Sequence, residues 1–379
     1  MKYDFFFELL QVSVGRRGAL SRCPAAAEWA ELFQMAKKQA LVGVTASAIE
    51  RLPQEQRPPK SLMQQWAILT VQVEQQNQWL NAKCAEVTEF LQQEGFDTCI
   101  LKGQGMAQLY PNPLRRQSGD IDVWVKREGF RTEDYVSYGR RTEEDAEATY
   151  HHIHIRLKLK RNTEGKVVKT EEPTERPIDT EIHYRASWLF DPWLNKRLQR
   201  WFEAHHLWQK DRARHSEFTS PTVYFNMVYQ LVHIFRHLYD EGIGLRQLMD
   251  YYFTCQAFLQ NERERKVELV KDFENLGLKR LAGAVMYVLH QVFGMTEEEM
   301  VLPMDAKEGA FLLDEIMLAG NFGRYDPRST YQQGESKPRR FYRHCRRNLQ
   351  FLIHYPRETF FYPIWTIGHR VWRWHKGYL

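Results

Sequence analysis

Gly119-Asp120-Ile121-Asp122-Val123-Trp124-Val125 is the stretch on which the reading of this chain turns. Ile121, Val123 and Val125 alternate with other residue types, the period-two pattern of a strand with one face in a core. On such a strand the carboxylates of Asp120 and Asp122 leave the same face, about 6 to 7 Å apart at the backbone. Two ionised acids at that separation repel one another, and a divalent cation relieves the repulsion. A glycosidase pair is set differently, with its acids arriving from separate elements. A solvated strand carrying two acids has the same pattern, so the flanking segments have to decide.

Upstream, Asp97 to Leu101 reads as a short strand, followed by the turn Lys102-Gly103-Gln104-Gly105 and a brief helix ending near Tyr110-Pro111. Glycines let backbone N–H groups approach a phosphate, and Lys102 adds positive charge. The Gly-Lys-Ser/Thr order of a Walker loop is absent. Arg115 and Arg116, in the loop before the acid pair, are either phosphate clamps or solvated loop arginines. Downstream, residues 126–149 are charged and weakly patterned, with an acidic helix expected around Thr142 to Ala148. His152 to Leu159 and Ile178 to Tyr184 alternate on either side of the polar segment Lys160 to Pro177, as in a hairpin with a long loop. Asp179, Glu181 and His183 share one face of the later run. A third acid from that strand would complete a three-carboxylate cradle for one or two Mg²⁺ ions, an arrangement suited to in-line phosphoryl displacement.

Helical periods surround this centre. Ala25 to Gln39 and Ser61 to Phe90 carry apolar residues at helical spacing, with a loop from Leu52-Pro53 to Pro58-Pro59 between them. After Trp201 the period returns in Val223 to Leu238, in Leu245 to Phe258 and, as at least two helices, in Val267 to Phe293. Ala319 to Pro338 reads as a loop. The expected fold class is α+β and predominantly helical: a small mixed sheet flanked by helical regions, with units at 1–90, 91–205 and 206–379.

A chain of 379 residues, 43% hydrophobic and 27% charged, has room for two or three units with real cores. A disordered or collagen-like chain is excluded. Five cysteines, at 23, 84, 99, 255 and 345, form no CxxC pair and read as buried thiols of a reducing, cytoplasmic setting. Met1-Lys2 and the Phe5 to Phe7 run lack the length of a secretory signal, and no run of about 20 apolar residues is present.

Lys102-Gly103, Leu109-Tyr110-Pro111, Arg115-Arg116, Gly119-Asp120-Ile121-Asp122-Val123, Glu181-Ile182-His183-Tyr184-Arg185 and Gly244 to Asp250 together resemble bacterial nucleotidyltransferases of the DNA polymerase β-like superfamily, over roughly residues 25 to 260. The turn departs from that superfamily's usual Gly-Ser or Gly-Gly, and the gap from Gly103 to Asp120 is long. The resemblance implies that Asp120, Asp122 and Glu181 are catalytic metal ligands for Mg²⁺ or Mn²⁺. It also implies that a nucleoside triphosphate is held by Lys102, Gly103, Gln104, Arg115, Arg116, Ser118 and Gly119. As third ligand Glu181 is preferred over Asp179, which would otherwise stand behind the ligands. The acceptor would be a hydroxyl of a small molecule, a sugar or a protein. The alternative is a nucleotide-binding or antitoxin-like interaction protein on the same fold. Repulsion within the acid pair leads to the expectation that Asp122→Asn leaves the metal-free melting temperature unchanged or slightly higher.

Other candidates have plainer readings. His152 and His154, two apart on a strand, read as surface or hydrogen-bonded histidines rather than zinc ligands. His233 and His237 lie one helical turn apart on a polar stripe that either faces a cleft or bonds to a neighbouring helix, and Arg246 and Asp250 have the spacing of an ion pair. Residues 337–379 hold ten Lys or Arg and one acid, with eleven aromatics. That composition leaves nucleic acid or an anionic membrane as possible partners; the favoured expectation is that Lys337 to Arg347 is solvated and that the aromatics from Phe351 to Trp374 pack on the body.

Overall fold

The computed structural model describes residues 3–206, 217–328 and 336–378. The chain opens with α1 (Asp4–Ser13), α2 (Ala26–Lys38), α3 (Val42–Arg51) and α4 (Lys60–Gln93). Helices α2 and α4 follow the sequence periods. α3 had no period to read, because it is buried on nearly every side, from Val42 through Ala46 and again at Ala48 and Ile49.

The centre contains β1 (Asp97–Ile100), α5 (Gly103–Ala107), β2 (Ile121–Lys126), α6 (Thr132–Thr142), β3 (Glu147–Ala148), β4 (His152–Leu157), β5 (Leu159–Arg161), β6 (Val167–Lys169) and β7 (Ile178–His183). The five-stranded sheet runs β1-β2-β7-β4-β3; β2 and β7 are parallel and the other neighbours antiparallel. Strands β4 and β7 form the expected hairpin, and their long connection folds into a smaller hairpin of its own, β5 with β6. The acidic helix expected at Thr142 to Ala148 is replaced by α6, which ends where that helix was to begin. Tyr135, Val136 and Tyr138 give α6 a face to bury, whereas the run from Glu143 to Asp145 has none, and Glu147–Ala148 pairs with β4 instead.

Then follow α7 (Pro192–Ala204), α8 (Val223–Asp240), α9 (Leu245–Asn261), α10 (Lys266–Asn275), α11 (Lys279–Phe293), α12 (Ala306–Ala319), α13 (Lys337–Asn348) and α14 (Pro356–His375). The fold is α+β and predominantly helical, as the sequence pattern predicts. Of the loop expected from Ala319 to Pro338, residues 329–335 lie outside the described residues, as do Met1 and Lys2, while Lys337 and Pro338 open α13. Among the described residues no helix is long and apolar enough to cross a membrane.

Buried apolar residues form two clusters. One joins α1, α2 and α3 to α8, α9, α11 and α12, so the first and last helices share a core. The second lies under one face of the sheet, where Ile121, Val123, Val125, Ile153, Ile155, Ile178 and Ile182 meet Leu80, Cys84, Val87 and Leu91 of α4. With 34 residues, α4 is about 50 Å long and enters both clusters, through Trp66 at one end and Leu80 to Leu91 at the other. Strand alternation then presents Asp122, Trp124, Glu181, His183 and His152 on the opposite face of the sheet.

Cys84, Cys99 and Cys255 are buried as expected, but Cys23 is exposed. The C-terminal expectation is corrected in two places. Arg347 is buried and donates to the Leu238 and Tyr239 carbonyls, while Phe360 and Trp374 face solvent. Phe351, Tyr355 and Tyr362 do enter the helical core. Helix α14 is tied down by Glu358, whose buried carboxyl accepts the Phe190 and Asp191 N–H groups at 2.7 and 3.2 Å.

Burial pushes the Glu358 carboxyl up to about 7. The folded state therefore holds this proton to higher pH than the unfolded chain. The stability linked to it is fully present below the ordinary carboxylate pKa and is lost as pH rises through about 7. Melting curves at pH 5 and pH 8 are expected to differ more in wild type than in Glu358→Gln. An equal difference in both proteins would count against the assignment.

Candidate functional site

The parallel register of β2 and β7 sets Asp122 directly opposite Glu181, and Trp124 opposite His183. His183 is fully buried, and its Nε2 lies 3.1 Å from Asp122 Oδ1 and 3.0 Å from Glu181 Oε2, so one imidazole N–H is shared between the two carboxylates. Lys102 Nζ reaches the same Asp122 oxygen at 2.6 Å. From β4, His152 Nδ1 comes within 3.5 Å of Glu181. Asp120, just before β2, stands at the mouth of a cleft of about 290 Å³ lined also by Lys102, Gly103, Arg116, Asp122 and Glu181.

Local chemistry positions each piece. Leu101 N–H donates to the Asp122 carbonyl at 2.9 Å, holding the end of β1 on β2, and Gly103 turns the chain into α5 at a φ of 47°. A side chain on Gly105 would strike the Ile100 carbonyl oxygen, so the turn can close only with glycine there. The loop before β2 is pinned from two sides. Buried Asn77 of α4 donates to the Leu114 and Arg116 carbonyls at 2.6 and 2.7 Å. Asp250 of α9 takes Arg116 in a two-point ion pair, both contacts at 2.7 Å, and accepts from the Tyr110 hydroxyl at 2.6 Å.

The charges are coupled. Burial opposes the Lys102 ammonium, but Asp122 and the acids around it hold it above the usual lysine value. Burial likewise opposes the charged form of His183, while its two carboxylate partners keep it raised. Burial would lift the Glu181 carboxyl, yet the hydrogen bond from His183 and the Lys102 charge hold it below the usual range. Asp120 lacks such support. The Asp122 charge, desolvation in the cleft and Glu181 push it up to about 6. Burial takes His152 down to about 3 and His237 to about 4, leaving both imidazoles neutral at pH 7.

Among known proteins, a family model described as an uncharacterised nucleotidyltransferase matches residues 25–294, most of the chain, and that stretch contains every acid of the cleft. The chain belongs to this nucleotidyltransferase family. No curated protein and no solved structure matches it.

Within this member of the family the residues singled out from sequence divide. Lys102, Gly103, Arg116, Gly119, Asp120, Asp122 and Glu181 line one cleft. Arg115 is turned away to Glu50 and Glu74, at 2.6 and 2.8 Å, because α3 and α4 offer it two carboxylates. Gln104 is buried and donates to Asn81, and Ser118 accepts from Arg116 and faces an adjoining groove. Asp179 is exposed beside His154. Arg246 and Asp250 do not pair: Arg116 and Tyr110 occupy the carboxylate, and Arg246 donates to the Gln117 carbonyl at 2.8 Å.

His233 and His237 do line the cleft, as one of the two readings of their stripe had it. Arg236, Glu241 and Phe322 were not singled out. Arg236, on the same helix as the two histidines, has a helical position as its signal, whereas Phe322 has none, since it lies in a loop some 70 residues beyond Asp250. Phe322 adopts a left-handed backbone conformation, φ 53° and ψ 33°, with its ring 5.3 Å from His237 and 5.2 Å from the Arg246 guanidinium. Its loop rests on the turn between α8 and α9, where a side chain on Gly323 would overlap the Glu241 carbonyl oxygen.

Removing Asp250 would leave Arg116 charged and buried without its carboxylate. Asp250→Ala is expected to cost about 3–5 kcal/mol in urea unfolding. A change within about 0.5 kcal/mol, as for an ordinary surface substitution, would show that the clamp does not hold the loop.

Proposed function

We propose that the protein moves a nucleoside monophosphate from a nucleoside triphosphate to an acceptor hydroxyl, with chemistry of the DNA polymerase β-like type. A bond forms between the acceptor oxygen and the α-phosphorus, the bond to the bridging oxygen breaks, pyrophosphate leaves and the hydroxyl proton passes to a carboxylate. The observation that carries this reading is Asp122 facing Glu181 across the parallel pair, with Asp120 and the Gly103 turn in the same cleft.

The donor set fits a hard divalent cation, Mg²⁺ or Mn²⁺. It offers carboxylate oxygens, and the Lys102 ammonium already stands on one of them as a monovalent cation. Asp120, Asp122 and Glu181 would hold the ion, which when bound supplies charge neutralisation at the phosphates. The chain's own residues do the rest. Gly103 admits the triphosphate to the backbone, and Lys102 balances its charge. Arg236 and Arg246, whose Nε atoms are buried without hydrogen-bond partners, have donors to spare for phosphate oxygens. Positioning and electrostatic stabilisation would then supply most of the rate.

One observation favours the alternative of a nucleotide-binding or antitoxin-like module. Lys102 and His183 already neutralise the two deep acids, Asp122 and Glu181, so that pair is balanced without a metal. Incubation with Mg²⁺ or Mn²⁺ and each labelled nucleoside triphosphate separates the two. Pyrophosphate release or self-labelling supports transfer, and tight binding without turnover supports the module.

The expected behaviour of Asp122→Asn has to be revised. Asp122 is 4% exposed and partners both Lys102 and His183, so its loss should lower the metal-free melting temperature by several degrees. Asp120→Asn is the cleaner probe. It relieves the repulsion from Asp122 and Glu181 at the cleft mouth, so the metal-free melting temperature should stay level or rise. The stabilisation by nucleotide with Mg²⁺, about 2.7 kcal/mol at a hundredfold excess over Kd, should vanish. Equal ligand shifts in wild type and Asp120→Asn would sink the metal assignment.

A further inference from the structure

Helix α14 leaves a stripe of large apolar side chains in solvent. Phe360, Ile364, Ile367, Val371 and Trp374 recur at steps of four, three, four and three residues, one face of a helix, and are 60, 54, 53, 58 and 72% exposed. The opposite face is already used: Tyr362 is buried, and Trp365 stacks on Trp188 with ring centres 5.2 Å apart. The turn leading into the helix adds Leu352 and Ile353, 46 and 76% exposed. The helix is therefore docked by one side and apolar on the other.

Charge says what covers it. Residues 337–379 carry ten Lys or Arg, and their one acid, Glu358, is buried against α7. Arg357 and Arg370 are exposed along α14 itself, Lys376 just past its end, and Lys337, Arg339 and Arg340 on α13. The two helices meet where the Arg370 guanidinium lies 5.4 Å from the Phe341 ring. An apolar stripe edged by cations, with Trp374 near one end, matches a helix lying in the plane of a bilayer interface.

We propose that α14, with the basic face of α13, docks on an anionic lipid surface. Ile364, Ile367 and Val371 form the middle of the stripe and suit acyl chains, while its two rings, Phe360 and Trp374, stand at opposite ends and make no continuous stacking platform, which disfavours RNA. A second copy would set the same cationic face against itself, because a two-fold interface pairs a patch with its own image. A bilayer of anionic lipids satisfies the stripe and the charge together.

The test sediments the full chain with vesicles of phosphatidylcholine alone and with about 30% phosphatidylglycerol, an anionic fraction large enough to attract a polybasic segment. Wild type is expected to bind the anionic vesicles, to bind neutral ones weakly, and to lose binding as salt rises. Ile364→Ser with Ile367→Ser should reduce partitioning at least about tenfold while leaving the melting temperature unchanged, since both side chains are exposed. Arg370→Gln should weaken binding about fivefold, the worth of one cation near the surface. Undiminished binding by the double serine variant would overturn the proposal, leaving only nonspecific charge adsorption. So would tighter binding to a short RNA than to the vesicles, or self-association that the serine changes abolish without any vesicle binding in wild type.

Discussion

The Asp250 carboxylate holds the molecule's two halves in register. It lies on a helix of the large helical core and binds Arg116 and Tyr110, which belong to the segment between the first two strands of the sheet. All three side chains are buried, so none can exchange its partner for water without cost. The strand bearing Asp122 begins five residues after Arg116. The clamp therefore fixes where Asp120 and Asp122 stand relative to α8 and α9, the helices that close the cleft. Asn77 provides the matching restraint from the other side, on the same loop.

Within that frame the site is an arrangement of like charges held together by neighbours of opposite sign. Asp122 and Glu181 face one another because a parallel register leaves them no alternative, and Lys102 and His183 make the arrangement tolerable. Asp120 is left without such help, which is why its carboxyl is the one driven upward. A cation entering the mouth would relieve the acid least reconciled to its surroundings, while the deeper acids keep the sheet intact.

The central motif was readable because strand alternation is a strict constraint. Once Ile121, Val123 and Val125 go into the core, Asp122 has to face the other way, and the same holds for Glu181 between Thr180 and Ile182. The helices with one apolar stripe were equally readable. What escaped lacked a period or depended on distant partners. Helix α3 is apolar on all sides, and β3 is two residues long. Arg115 and Arg116 look alike in sequence, yet one is drawn to Glu50 and Glu74 and the other to Asp250, a choice made by residues 41 to 134 positions away. Lys102 belonged to the expected phosphate turn, but nothing local announces that its ammonium lands on Asp122.

The loop carrying Phe322 lies outside the span shared with the family, which ends at residue 294. The floor of the cleft, with its acids and its glycine turn, is thus encoded in one part of the chain and part of its roof in another. The two are joined by backbone seated on backbone: Gly242 and Gly244 on one side, Gly323 and Asn321 on the other. Side chains add to that seam at two places, Gln247 donating to the Asn321 side chain at 3.3 Å and the Phe322 ring resting by His237 and Arg246. The aromatic at its apex touches His237 and Arg246 rather than the carboxylates, so exchanging it for a smaller or more polar group would change the roof first. Reactivity and selectivity are in this sense separately heritable, and a lineage could retune what the cleft admits while leaving its chemistry alone.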